Sequence, residues 1–328
     1  MKKITLLICL LAILTSCQKE NKAPQNKTVY TEDIDHFWEA YDSIQTTDNY
    51  DKKIEYINDL YIDKATVGLQ SFMKSRHYKD SIYVYLIDGL PKFWNSLRTN
   101  TLKVKKKIPD LEKSIDRLRE LYPELTDAKI YFTIGCLNSG GTADDDMVLI
   151  GSEIAVSDKY VDTSEFQGDD WLVWLKNLFQ TQSIDNLVYL NTHEYIHTQQ
   201  SGSNRRVLNK SLQEGAADFM AELVVERELN STYITYGKEH YQEVLTDFKD
   251  EMFTENLDNW LFNGGKHPKC GDLGYFMGYA ICKGYYQKAE NKKAAVKTII
   301  ELDFNDNELI VDFLNQSGIY KETIKNPV

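Results

Sequence analysis

Residues 191–197 read Asn191-Thr192-His193-Glu194-Tyr195-Ile196-His197, and this stretch decides how the rest of the sequence is interpreted. On a helix, His193 and His197 are about one turn apart, so both imidazoles project from the same face. Two histidines at this spacing can hold a borderline-soft metal ion, and zinc is the usual occupant. The stretch therefore predicts a helix that supplies two ligands of a zinc site.

The residues around these histidines suggest the remaining parts of such a site. Glu194 stands where a carboxylate can address a metal-bound water without binding the metal itself. A third ligand must come from elsewhere, and residues 213–218, Gln-Glu-Gly-Ala-Ala-Asp, are its candidate source. On a helix, Glu214 and Asp218 would share one face. We expect the third ligand to come from this segment.

A second interpretation of the same residues needs no metal. The two histidines could be exposed on an ordinary helix, and Ser211-Leu212-Gln213-Glu214 could be a capping box that starts the next one. The two interpretations exclude each other, because a carboxylate bound to zinc cannot also fold back onto a helix N-terminus.

The motif pair HExxH and ExxxD resembles the signature of the gluzincins, a class of zinc metallopeptidases. More closely, the chain resembles bacterial predicted zinc-dependent proteases grouped under a domain of unknown function, over about residues 125–290. Outside the metal motif, three stretches carry this likeness: Ile134-Gly135 to Gly140-Gly141-Thr142, Val148-Leu149-Ile150-Gly151-Ser152-Glu153, and Gly274-Tyr275-Phe276-Met277-Gly278-Tyr279.

The resemblance implies one zinc ion per chain, held by His193, His197 and Glu214, with Asp218 steadying a ligand histidine. It also implies hydrolysis by a metal-activated water, with Glu194 as the general base that later protonates the leaving amine. The oxyanion would need a further donor, for which the chain offers several side chains, Tyr275 and Tyr279 foremost, and also His240 and His267.

In gluzincins, a strand beside the metal helix aligns the peptide substrate through main-chain hydrogen bonds. By this resemblance, our candidate for the substrate strand is the segment Met147–Ser152. Its site residues would be Val148, Leu149, Ile150 and Gly151.

The hydrophobic pattern predicts an α+β fold that is mostly helical, and the resemblance implies that the metal helix pair lies beside a small β-sheet. Residues 31–124 have helical periodicity and form an N-terminal region that we expect to pack on a catalytic region, 125–328. Lys129–Ile134 and Met147–Ile150 are predicted strands. The small residues Gly215–Ala217 would let the two metal-binding helices approach each other closely.

The N-terminus predicts export and attachment to a membrane. Residues 1–16 form a signal peptide, since the apolar run Ile4–Leu14 is too short to span a bilayer. Leu14-Thr15-Ser16-Cys17 resembles the bacterial lipobox, in which the cysteine is lipidated, and residues 17–30 would be a flexible tether. The expected location is the cell envelope, lipid-anchored to the outer membrane on its periplasmic side or at the cell surface. An ordinary secretory signal is the alternative.

Composition narrows the classes of partner. The net charge of −12 argues against nucleic acid as a partner. Cys270 and Cys282 could form a disulfide or remain two buried thiols. The expected function is that of a membrane-anchored zinc peptidase acting on peptides or proteins. The alternatives are a non-catalytic envelope lipoprotein with a structural zinc site and a hydrolase of another bond.

Overall fold

The computed structural model describes residues 27–264 and 269–327. The predicted leader, the lipidation site Cys17, most of the tether and His267 lie outside the described residues. Strand β1 (Val29–Tyr30) pairs with the segment that contains Ile130 and Tyr131. The rings of Tyr30 and Tyr131 stack with their centroids 4.6 Å apart. The expectation that the tether extends to residue 30 is therefore wrong for Val29 and Tyr30.

The region predicted to be helical is helical. Its buried side chains follow helical spacing, as with Ile34, Phe37 and Tyr41. Pro109 lies in the first turn of the last of these helices, Ile108–Leu121, where a missing N–H costs nothing. The α-helices of this region are α1 (Glu32–Ile44), α2 (Tyr50–Ile57), α3 (Val67–Arg76), α4 (Asp80–Gly89), α5 (Pro91–Lys103) and α6 (Ile108–Leu121).

A small mixed sheet follows. Besides β1 it contains β2 (Lys129–Thr133), β3 (Gly141–Asp144) and β4 (Met147–Gly151), in the order β1-β2-β4-β3. β2 and β4 are parallel, and β3 runs antiparallel to β4, with Gly141 opposite Ile150. This order leaves β3 at one edge of the sheet and β4 in its interior.

The remainder of the chain is helical except for its loops. The metal motif lies on α9 (Leu187–His197), which is preceded by a 3-10 turn in which the amide of Asp185 donates to the side chain of Ser183. The α-helices are α7 (Ser152–Ala155), α8 (Asp170–Phe179), α9 (Leu187–His197), α10 (Val207–Val225), α11 (Thr232–Glu239), α12 (Tyr241–Glu251), α13 (Leu273–Lys288), α14 (Lys292–Ile300) and α15 (Asn307–Ser317).

Two regions of the chain share one hydrophobic core. The hydroxyls of Tyr61 and Tyr83, from the N-terminal helices, donate to the carbonyl of Ile134 at the end of β2, at 2.5 and 3.0 Å. α9 lies between β3 and β4 on one side and α10 on the other. The sheet and α10 thus fix the orientation of the metal helix, and the predicted α+β, mostly helical fold is confirmed.

The glycine of the second motif has a different role from the expected one. A Cβ on Gly215 would lie 2.1 Å from the backbone of Gly278, and one on Gly278 would lie 1.8 Å from the carbonyl oxygen of Ser211. Gly215 therefore permits close packing of α10 on α13, and our expectation that it serves the contact with the histidine helix is wrong. α13 in turn carries Tyr275 to the metal motif.

Among the described residues, no helix is long and apolar enough to cross a membrane. Cys270 and Cys282 are both buried and are not joined to each other by a disulfide. Of the two interpretations of this pair, the structure supports separate thiols.

Candidate metal centre

The structure brings His193, His197 and Glu214 together. The two Nε2 atoms are 3.1 Å apart, and Glu214 Oε2 lies 3.6 Å from His193 Nε2 and 3.2 Å from His197 Nε2. A tetrahedral ion with bonds of about 2.0–2.1 Å separates its ligand atoms by about 3.3 Å. The three atoms therefore have the spacing of three corners of a zinc site, and no other His, Cys, Asp or Glu of the described chain joins the group.

The outer nitrogens of both histidines are also fixed. His193 Nδ1 donates to Asp218 Oδ1 at 2.7 Å, as the resemblance implied, and His197 Nδ1 donates to Gln200 Oε1 at 2.7 Å. Gln200 is oriented by its own amide, which donates to the carbonyl of Gln213. Because the protons lie on the Nδ1 atoms, both Nε2 lone pairs point into the cluster. Two facing lone pairs need a cation between them, so this donor set fits a metal ion.

Asp218 has two further partners that the sequence did not indicate. Its Oδ1 also accepts from the hydroxyl of Tyr189, and its Oδ2 accepts from the hydroxyl of Tyr233 at 2.9 Å. Tyr189 lies four residues before His193, so helical spacing could have suggested it, whereas Tyr233 comes from α11 and has no local signal. Three donors hold this carboxylate in the orientation that serves His193.

The third ligand is held by a lysine. Lys210, one turn earlier on α10, places its Nζ 3.4 Å from Glu214 Oε1, which leaves Oε2 to face the histidines. α10 begins at Val207, so Ser211 is inside the helix rather than at its N-cap. The capping-box interpretation of Glu214 is therefore wrong.

The electrostatic environment favours a cation at the cluster. Burial lowers the pKa of both imidazoles, but the carboxylates of Asp218 and Glu214 outweigh it at His193, and that of Glu214 does so at His197, so both pKa values are raised. Burial raises the pKa of Glu214, yet the two histidines hold it well below its usual range. The buried carboxylates thus stabilise positive charge at the point where the ligand atoms converge.

Glu194 faces a cavity rather than the ligand atoms. The cavity has a volume of about 330 Å³ and is lined by His193, Glu194, Gly141 and Tyr275, among others. Burial raises the pKa of Glu194, and the two histidines partly offset that effect. A Cβ on Gly141 would lie 2.9 Å from Glu194 Oε1, so the start of β3 is in contact with this carboxylate. The arrangement leaves Glu194 open to a molecule bound in the cavity.

Of the two tyrosines predicted from the sequence, only Tyr275 lies at the cavity. The ring of Tyr275 stacks on His193 at a centroid distance of 6.3 Å and lines the cavity. Tyr279 instead donates its hydroxyl to Glu222 at 2.7 Å and accepts from Lys283. The hydroxyl of Tyr279 is therefore hydrogen-bonded one turn away from the cavity, and the prediction that Tyr279 is an oxyanion donor is wrong. His240, the other described candidate, lies beside Glu243 and Tyr236 and does not line the cavity.

The candidate substrate strand is also corrected. Val148, Leu149, Ile150 and Gly151 lie on β4, which pairs with β2 on one side and β3 on the other. A strand whose two edges are paired has no free main-chain groups for a substrate. β3 is the edge strand, and it contacts α9. The strand next to the cavity is therefore Gly141–Asp144.

The loop before β3 is anchored by a buried carboxylate. Glu153 accepts the backbone N–H groups of Gly135 at 2.8 Å and Leu137 at 3.0 Å. Burial raises the pKa of Glu153 to about 7, although these donors lower it. Glu153 lies two residues past the end of β4, in α7, so it ties the loop to the interior of the sheet and thereby positions the edge strand.

The contact between Gly141 and Glu194 leads to a prediction. In Gly141→Ala, the new methyl group would displace the Glu194 carboxylate. The resemblance implies that Glu194 is a general base in hydrolysis, and misplacing such a group can cost on the order of 10–100-fold in rate. We expect kcat/KM to fall by that factor while the zinc content stays the same. Gly140→Ala is the control, because a Cβ there would meet only Ile154, at 3.2 Å. Equal activity of the two variants would contradict the assignment of this contact.

Residues 150–305 match a family model described as "Predicted Zn-dependent protease (DUF2268)". The matched region includes α9, α10 and α13, and with them His193, His197 and Glu214. The chain matches neither a curated protein nor a solved structure. For this part of the chain, the resemblance to predicted zinc-dependent proteases is confirmed.

Proposed function

We propose that this protein is a zinc peptidase of the gluzincin type, which hydrolyses peptide bonds with Glu194 as the general base. The observation that carries the proposal is the set of three ligand atoms, His193 Nε2, His197 Nε2 and Glu214 Oε2, beside a cavity that the Glu194 carboxylate faces. Catalytic zinc sites use three protein ligands and keep one position open, whereas structural sites close with four. A purely structural zinc site would not need Glu194.

Zinc, when bound, would polarise the substrate carbonyl and make a water acidic enough to act near neutral pH. The chain's own residues supply the rest. Glu194 accepts the water's proton and returns it to the leaving amine. Asp218 and Gln200 accept at the Nδ1 atoms of the two ligand histidines, which fixes both rings with Nε2 turned toward the place of the ion. Tyr275, which lines the cavity, is the proposed hydrogen-bond donor to the developing oxyanion.

The proposed strand for substrate binding is β3, at the edge of the sheet. No strand of the described chain pairs with the outer side of β3, so an extended peptide could add there in the mode called β-augmentation. Of the main-chain groups of β3, the carbonyl of Gly141 already accepts from the hydroxyl of Ser139 at 2.8 Å. Because Gly141 contacts Glu194, a peptide bound along this edge passes the general base. This pairing would align the scissile bond without regard to side-chain identity.

Hydrolysis that depends on a removable metal tests the proposal. The purified protein should cleave unstructured peptides, lose this activity when a chelator removes the metal and regain it with about one equivalent of zinc. New amino termini, counted by a fluorogenic amine reagent and located by mass spectrometry, give the readout. Failure of zinc-loaded protein to cleave any member of a broad peptide library would favour a non-catalytic zinc lipoprotein.

We also propose that Cys17 anchors the protein to a membrane of the cell envelope, on the support of the apolar run Ile4–Leu14 and the lipobox-like Leu14–Cys17. The protein should fractionate with membranes and be released or mislocalised by Cys17→Ser. An unmodified wild-type protein in the soluble fraction would contradict the anchor without bearing on the metal centre.

A further inference from the structure

The cavity at the metal centre continues into a larger one. The second cavity has a volume of about 950 Å³ and shares part of its wall with the first. The residues that line both cavities are Ala155, Trp174, Leu178, Gln182, Tyr189, Leu190 and Tyr233. Small-molecule pockets are about 300–1,000 Å³, so the two together, called the groove below, exceed what a single small substrate needs.

One wall of the groove is aromatic. Trp171 and Trp174 on α8 stack with ring centroids 4.5 Å apart, and the indole N–H of Trp171 donates to the carbonyl of Leu137 at 2.5 Å. Trp171 is nonetheless 42% exposed, whereas Trp38, Trp94 and Trp260 are buried. A stacked tryptophan pair that is held in place and left open to solvent is a ready contact for a large apolar group.

A buried side-chain acceptor lies at the junction of the two cavities. Gln182 Oε1 is buried and has no hydrogen-bond partner among the described residues. A buried acceptor without a partner is costly unless a ligand supplies one. An extended peptide presents an N–H group at every non-proline residue, so it can satisfy Gln182 at this point whatever its sequence.

We propose that the groove binds an extended polypeptide that continues for several residues past the scissile bond, with a bulky apolar side chain against Trp171 and Trp174 and a main-chain N–H on Gln182. This inference rests on the proposed peptidase function and deepens it. The substrates would be unfolded, apolar segments inside protein chains, and the activity would be that of an endopeptidase. Neither a dipeptide nor a small ester would fill the second cavity.

Binding to an inactive form separates this inference from the reaction itself. Full-length, zinc-loaded Glu194→Gln would be titrated with a peptide of about eight residues, which spans about 26 Å when extended, with Leu and Phe at its centre. Two other peptides serve as comparison probes. One is the central segment of the long peptide, roughly three residues, and the other is a charged peptide of the same length as the long one. Trp171 is the exposed indole, so its fluorescence reports occupancy. We expect the long apolar peptide to bind at least tenfold more tightly than either comparison peptide.

Two groove variants and one matched control complete the experiment. In the same inactive form, Trp174→Ala should weaken binding of the long peptide about 10-fold or more, and Gln182→Ala about 2–10-fold. Neither should change binding of the short peptide as much. Lys176→Ala, on the same helix and outside the lining of both cavities, should leave binding unchanged. Circular dichroism would confirm that each variant is folded.

The outcomes distinguish the groove proposal from the peptidase proposal. If wild type cleaves peptides but the long and short peptides bind equally, or the groove variants bind like the Lys176→Ala control, the groove proposal is overturned and the peptidase proposal stands. If the groove variants weaken binding as expected while wild type cleaves nothing, the groove is a peptide site and the proposed catalysis fails.

Discussion

Replacing Glu194 with glutamine is expected to leave zinc bound and to reduce turnover by about 10²–10⁴-fold, the usual contribution of a general base. The amide has nearly the same size, so it keeps the contact with Gly141 and the shape of the cavity. Glutamine cannot accept a proton at neutral pH, however. Since no hydrogen bond joins Glu194 to the three ligand residues, metal affinity should hardly change.

The measurement is kcat/KM on an unstructured peptide, with the zinc content determined on the same sample. Glu222→Gln is the matched control, because Glu222 is a glutamate of the neighbouring motif helix, α10, that pairs with Tyr279 and Lys283 away from the cavity. That control should retain activity. Equal hydrolysis by wild type and Glu194→Gln would show that another group, or a contaminating enzyme, performs the reaction.

His197→Ala is expected to abolish stoichiometric zinc binding and activity together. The substitution removes one of the three ligand atoms. Glu214 Oε2 then keeps a single imidazole nitrogen nearby, His193 Nε2, at 3.6 Å. Zinc bound by only two protein ligands falls short of the three that catalytic sites use. The fold should survive, because the core extends through the whole described chain and does not depend on one ion.

Metal content, circular dichroism and peptide hydrolysis of this variant would be measured side by side. His240→Ala is the control, since His240 lies beside Glu243 on the surface and away from the cluster. It should keep about one zinc per chain, as expected for wild type. Full zinc occupancy in His197→Ala would mean that the metal is held elsewhere.

The parts of the site that the sequence predicted are those set by helical spacing. His193 and His197, and likewise Glu214 and Asp218, are four residues apart, and this spacing alone puts each pair on one face. The two pairs can form one site only if α9 and α10 pack together. Helical spacing does not show this packing, but the motif resemblance implied it. Tyr233 and Gln200 could not be found in this way, because their roles depend on where α11 and the loop after α9 lie.

The two corrected site assignments have physical reasons. Residues 147–150 are four apolar residues in succession, a pattern typical of a strand buried on both faces and hence interior, so the sequence could have shown that β4 is unavailable. Gly141–Asp144 has no strand-like composition, yet it forms the edge. Tyr279 shares a helix face with Tyr275, but one turn is about 5.4 Å, and that displacement brings it to Glu222 and Lys283 instead of the cavity.

The central claim is that His193, His197 and Glu214 hold one zinc ion, and elemental analysis of wild type and Glu214→Ala tests it most directly. Both proteins would be purified without chelator, loaded with one equivalent of zinc and freed of excess metal before analysis. The account predicts about one zinc per chain in wild type and essentially none in Glu214→Ala, with both proteins folded. Wild-type protein that holds no zinc and cannot be loaded, or equal zinc in both proteins, would contradict it.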